Sequence, residues 1–177
     1  DLHQHVQYYR ATATSSFNIG GSRLTSKFGF SRSIRREYEH PQRPDLPGLH
    51  LILNTLTYDL KYHFAELNGW EPTLGVNGMV QANNAAGGTE LVVPSYRQFD
   101  IGPFLHTKKT LGKWDVSGGV RYDIRNFSND AMFTRMDPTT GFDVAAGPSP
   151  GDTSVVKQFD SYSHIFNGAS GSLGAAW

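Results

Sequence analysis

Arg121, Asp123 and Arg125 stand two apart in the stretch GGVRYDIRNF. At that spacing their side chains fall on one face of a strand, because a strand sends successive side chains to opposite faces. Arg121 and Arg125 could together grip an anionic ligand through their planar guanidinium forks. A second set, Asp59, Lys61 and His63, repeats the pattern in TYDLKYHF. The other reading of both sets is a solvated wall of ion pairs, each weak in water. Asp115 and Asp123 share a parity too, but eight residues of strand hold them about 26 Å apart, too far for an acid–base pair. His3 and His5 in HQH have spacing that suits metal ligands, yet no third ligand stands beside them. Neither a nucleophile elbow nor an H-E-x-x-H pattern occurs. The glycine-rich GGSR and AAGGTE stretches join strands rather than open helices, so they imply no phosphate cradle. No catalytic residue, metal site or cofactor is assigned, and the chain is expected not to be an enzyme.

The elements that must carry these residues are almost wholly β. The 177 residues include 19 glycines and 9 prolines among many Tyr, Phe, Thr and Val, a composition of strands and turns. Sixteen basic and sixteen acidic residues cancel, and without a basic block no nucleic-acid partner is expected. No cysteine is present, which excludes a disulfide framework and thiolate metal sites. No apolar run approaches the roughly 20 residues of a membrane helix, a statement that leaves barrel strands untouched. Both ends fall within alternating stretches, so the sequence is expected to be a piece of something larger.

Alternation predicts seven long strands, at about 3–17, 24–38, 51–67, 71–83, 99–109 and 113–127, with the seventh beginning near 165. In the sixth, Trp114, Val116, Val120, Tyr122 and Ile124 oppose Asp115, Arg121, Asp123 and Arg125. Gly118 and Gly119 between them read as sites of bending or close approach. Gly-Gly at 20–21, Asn-Gly at 68–69 and Leu-Gly at 111–112 give tight turns. The other connections, 39–49, 84–98 and 128–163, are long and polar. Every long loop therefore lies at one end of the strands. The last of them carries Phe133, Met136 and Phe142 and is the candidate for ligand contact.

Trp114 to Ile124 spans about 33 Å, which at a tilt near 40° matches the roughly 25 Å apolar band of an outer-membrane barrel. Ordinary strands run about 5–6 residues. The apolar parity is thus expected to face lipid, and the charged parity a wet lumen. Tyr58, Tyr62, Phe64, Trp70, Trp114, Tyr122 and Trp177 are expected as interfacial aromatics near strand ends.

Five stretches in this order, TYDLKYHF, GVNGMVQAN, GTELVVPSYRQFDIGPF, WDVSGGVRYDIR and FNGASGSLGAAW, resemble the barrel of a TonB-dependent outer-membrane receptor. The likeness is to the iron-complex receptors of Bacteroidetes-type bacteria, and covers residues 50–177 best. It implies an all-β, antiparallel up-and-down meander of about seven long strands, an open segment of a 22-stranded transmembrane barrel. Residues 1–177 would be one partial barrel domain, with the plug domain and the remaining strands outside it. It further implies the outer membrane of a Gram-negative cell, lipid around the wall, TonB engaged through the plug, and energised uptake of a scarce nutrient. That cargo is foremost an iron–siderophore complex, with haem, cobalamin or glycan as the other candidates. Arg121, Asp123, Arg125, Phe133 and Phe142 are the candidate substrate-binding residues. The alternatives are a soluble β-rich, perhaps carbohydrate-binding, module and a passive porin-like channel.

Overall fold

A computed structural model describes residues 2–85 and 87–177. Seven long strands form one antiparallel meander: β1 (His3–Ile19), β2 (Ser22–Tyr38), β3 (Leu49–His63), β4 (Trp70–Asn84), β5 (Tyr96–Leu111), β6 (Trp114–Asn129) and β10 (Tyr162–Ala176). The sheet does not close on itself; β1 and β10 are its edges. The stretch between β6 and β10 is not the plain loop expected. It folds into a second, three-stranded sheet of β7 (Met132–Met136), β8 (Asp143–Ala146) and β9 (Val155–Phe159), with β7 central. Its strands are of four and five residues, too short for alternation to stand out from the polar turns around them.

The three tight turns lie at one end, as the sequence implies. Gly20 and Gly21, with φ of 52° and 84°, and Asn68 and Gly69, with 51° and 83°, give two consecutive left-handed residues. That is the type I′ pattern, whose twist matches paired strands. β3 stops at His63 instead of Leu67. The Phe64 N–H still donates to the Pro72 carbonyl at 3.0 Å, but proline has no N–H to return the bond. Proline interrupts the sheet again between β5 and β6, whose register runs through Ile101↔Ile124 and resumes at Phe104↔Arg121, skipping Gly102 and Pro103.

Strand register sorts the side chains into two continuous faces. One carries rows such as Phe30–Leu56–Val80–Phe99 and Leu24–Tyr62–Leu74–Leu105–Val120. The other carries Lys27, Asp59 and Asn77 in one row and Asp100 opposite Arg125 in the next. Among the described residues nothing covers the apolar face. Val120 is 63 % exposed and Leu173 88 %. Among the described residues, the buried apolar side chains are Ala85, Leu91 and Met132, all at the long-loop end rather than on the seven-stranded sheet's faces. The chain exposes 11605 Å², where a compact protein of this mass would expose about 8,600 Å². Among the described residues no second layer packs on the sheet to make a sandwich.

Tyr62, Phe64, Trp70, Trp114 and Trp177 gather near the short-turn end as expected. Trp114 and Trp177 lie 6.4 Å apart, and the Lys109 ammonium stands 5.2 Å from the Trp70 ring centre. Tyr58 and Tyr122 do not belong with them, being well inside β3 and β6. Among the described residues no helix is long and apolar enough to cross a membrane.

Candidate functional site

A concavity of about 680 Å³ lies against the charged face over β3 to β6 and β10, and Arg121, Asp123 and Arg125 all line it. The backbone here is made to be crossed. Gly102 on β5 leaves open the space into which Arg121 and Asp123 lean, and any Cβ there would meet both. Across that gap the Arg121 Nη2 donates to Asn77 Oδ1 on β4 at 2.8 Å, while its Nε donates to the Asp123 carboxylate at 2.8 Å. Four residues further along β6, the Arg125 fork donates to both oxygens of Asp100 on β5, from Nε at 2.9 Å and from Nη2 at 2.8 Å. Gln98 Nε2 donates to the same carboxylate at 3.1 Å. Asp59 and Lys61 pair at 3.2 Å.

Both arginines therefore have their planar donors engaged by this chain's own carboxylates. The arrangement is a charge-balanced wall, in which an anionic ligand would have to compete with Asp100 and Asp123. Glycines set the neighbouring aromatics as well. The Tyr58 ring crosses Gly78 so that its hydroxyl donates to the Asp100 backbone carbonyl at 2.8 Å. Phe104 lies over Gly75 on the charged face. A Cβ on Gly119 would stand 3.0 Å from the Leu105 carbonyl, a close strand approach of the kind expected there.

Phe133 and Phe142 do not join this group. Phe133 is in β7, and Phe142 precedes β8 and stacks on His40 with ring centres 4.1 Å apart. That contact ties together connections from different parts of the sheet. His40 Nε2 hydrogen-bonds Thr89 Oγ1 at 2.9 Å, and the Glu90 N–H donates to the Gly48 carbonyl at 2.7 Å. Segments 39–48, 87–95 and 130–161 are thus laced into one assembly at the long-loop end. Repulsion from Glu90, followed by partial burial and Glu37, holds the Glu39 carboxyl above its ordinary range. The Thr139 N–H and then the Thr140 hydroxyl hold Asp137 below it. His3 and His5 lie on the apolar parity of β1, opposite Tyr38 and Arg36, and His3 stacks on Tyr38 at 4.5 Å. Among the described residues no three His, Asp or Glu side chains are grouped to hold a metal ion.

One feature of the charged face escapes inspection of the sequence. Tyr96, Phe127, Tyr162, His164 and Phe166, from β5, β6 and β10, form an unbroken series of rings. Successive centres are 5.3, 6.2, 6.2 and 4.5 Å apart. Phe166 pairs in register with Arg125 and lines the concavity. Only the rings of β10, at i, i+2 and i+4, give a signal within one strand.

No family model matches the chain, and no curated protein or solved structure matches it.

Proposed function

We propose that this chain is a section of the wall of a TonB-dependent receptor barrel in the Gram-negative outer membrane. The observation that carries the reading is the two-faced sheet. Its strands run 15 to 17 residues, one face is apolar and uncovered, the other holds a charge-balanced concavity, and the three tight turns that join successive long strands sit at one end. A membrane strand needs about 9–11 residues, so each strand has length to span and to rise beyond the bilayer. Lipid would cover Leu74, Leu105, Val120 and their rows, as no protein layer does. The open edges would be completed by further strands, because a sheet edge cannot face hydrocarbon with its N–H and C=O groups unpaired. Arg121, Asp123 and Arg125 would line the lumen, and Phe133 and Phe142 would belong to the outer mouth.

In this role the chain performs no chemistry on its cargo. Energy comes from TonB acting through a plug domain, and the wall supplies a passage for a nutrient too large for a porin. The test begins with the parent protein. Alkaline carbonate washing should leave it in the outer-membrane fraction, and detergent should release it as a folded, heat-modifiable species. Deleting the parent gene should then abolish growth on one nutrient among ferric siderophore, haem, cobalamin and glycan, and the same growth should require TonB. Recovery of the parent in the soluble fraction would overturn the reading.

A further inference from the structure

The arginines of the concavity are matched by carboxylates, but those at the long-loop end of the opposite face are not. Arg32 and Arg97 share one row of the apolar parity, Tyr9–Arg32–Asn54–Ala82–Arg97–Ser128–Ser163. Arg36 stands two rows higher, between His5 and His50. Neither of these rows, nor the one between them, Gln7–Ile34–Ile52–Asn84, contains an aspartate or a glutamate. Among the described residues none of the three arginines has an ion-pair or hydrogen-bond partner. The row next below on the same face is Phe30–Leu56–Val80–Phe99, whose side chains are 42 % to 44 % exposed. Two residues of strand, about 7 Å, separate the rows. Unpaired guanidinium groups thus border directly on uncovered apolar side chains.

Resting on the barrel-wall reading above, we propose that Arg32, Arg36 and Arg97 bind the phosphate groups of a multiply phosphorylated lipid in the leaflet at the long-loop end. Three features choose that occupant. The cations and the apolar rows adjoin on one face, so a single partner that meets both carries acyl chains below and negative charge above. A soluble polyanion has no use for Phe30, Leu56, Val80 and Phe99. The cations are all arginines with free forks, which suit the oxygens of a phosphate better than a point charge does. Their spacing calls for several phosphates. Arg32 and Arg97 are three strand intervals apart, about 14 Å, and Arg32 and Arg36 are four residues apart along β2, about 13 Å. One phosphate cannot bridge either gap. Beside Arg97, Asn54 and Ser128 of its own row line a hollow of about 240 Å³ with Ser95 and Asp130, and their amide and hydroxyl groups add neutral donors. Asp130 is the one carboxylate of that lining, against three arginines, so the border keeps a positive surplus.

The test uses the complete parent protein in detergent, titrated by native mass spectrometry with bisphosphorylated lipid A, with the same lipid stripped of its phosphates, and with inorganic pyrophosphate. The phosphorylated lipid should bind and the stripped lipid should bind more weakly. Arg32→Ala and Arg97→Ala should each weaken binding by about fivefold, the contribution of one cationic side chain at an anionic lipid surface. Arg32→Glu and Arg97→Glu should weaken it further than alanine does, which separates charge from damage to the fold. Arg10→Ala, on the opposite face of β1, should leave it unchanged, and far-UV circular dichroism should be the same for every variant. Equal binding of the two lipids overturns the proposal, as does binding that the variants at 32 and 97 leave unaltered or that Arg10→Ala weakens as much. Pyrophosphate binding as tightly as the lipid overturns the choice of occupant. A detergent-requiring barrel that fails these titrations refutes the phosphate border and leaves the wall reading standing; a parent that needs no detergent refutes the wall reading instead.

Discussion

Leu105 and His106 are adjacent on β5 and point to opposite faces, so they offer a paired test of which face meets lipid. Leu105 lies in the row Leu74–Leu105–Val120 and is 47 % exposed. His106 lies between Thr73 and Gly119 on the charged face. The depth of Leu105 follows from the strand. In the proposed wall, Lys109, beside Trp70, would mark the interface at the short-turn end. Four residues of about 3.3 Å, along a strand tilted about 40°, put Leu105 roughly 10 Å inside a band about 25 Å tall. An arginine at the midplane of such a band costs about 2–4 kcal/mol, falling toward zero at the interface. Leu105→Arg should therefore cost about 2–3 kcal/mol, about 30- to 150-fold in the folding equilibrium.

His106→Arg, facing water, should stay within about 0.5 kcal/mol of the parent, as surface substitutions do. Urea titration of the parent barrel in phospholipid vesicles measures both, read as a shift in midpoint at unchanged slope. If the apolar face were merely solvated, the two substitutions would be equally mild. Equal costs, or a larger cost for His106→Arg, would refute the orientation.

The Arg125–Asp100 pair should contribute modestly despite its bidentate geometry, since the Arg125 side chain is 52 % exposed and screened by water. A double-mutant cycle with Arg125→Ala and Asp100→Asn should return about 0.5–1 kcal/mol of coupling, and a value above about 2 kcal/mol would mean that the charged face there is dry. Asp137 and Asp152 cap turns beside the small sheet, each held below the ordinary carboxylate range, Asp137 first by the Thr139 N–H and Asp152 first by the Ser154 hydroxyl. A depressed folded value stabilises above the unfolded value of about 3.9 and is lost as pH falls through the folded one. The Thr139 and Ser154 amide chemical shifts should hold steady from pH 7 to about 5 and move only below about 4; movement starting nearer neutrality would contradict the caps. Because Glu90 is the largest cause of the upward shift at Glu39, Glu90→Gln should bring the Glu39 titration downward when followed by carbon-detected NMR. A Glu39 titration unmoved by that change would show that Glu90 is not its partner.

What was legible in the sequence is what repeats within a strand. In β6 the alternation persists from Trp114 to Arg125, long enough to exclude helix and to sort Arg121, Asp123 and Arg125 onto one side. The Asn-Gly and Gly-Gly turns declare themselves because left-handed residues are rare elsewhere. What was not legible depends on register. That Asp100 meets Arg125, and that Tyr96 meets Phe127, follows from pairing between β5 and β6, which shifting either strand by two residues would undo without disturbing any alternation. The end of β3 was misplaced because Pro72, which starves it of a partner bond, lies on the next strand. The small sheet escaped because runs such as MFTRM are too short to show a period.

The long-loop ends of the strands add an argument about where lipid would stop. The row beyond Phe30–Leu56–Val80–Phe99 on the apolar face is Arg32–Asn54–Ala82–Arg97–Ser128. On the opposite face at that level the row holds Tyr8, Leu53, Tyr96 and Tyr162 among Ser33, Asn83 and Asn129. At this level charge stands on the otherwise apolar side, and apolar bulk on the otherwise charged one. A soluble sheet packed on a partner layer has no reason to exchange its faces along its own strands. A wall rising out of a bilayer does: below the border hydrocarbon lies outside and water inside, while above it water lies outside and the strands' inner side meets loops and ligand. In the proposed wall, this row would fall where the strand length beyond that needed to span begins. The level that places Arg32 and Arg97 on the apolar parity also places Tyr96 and Tyr162 on the charged one, at the top of the aromatic series.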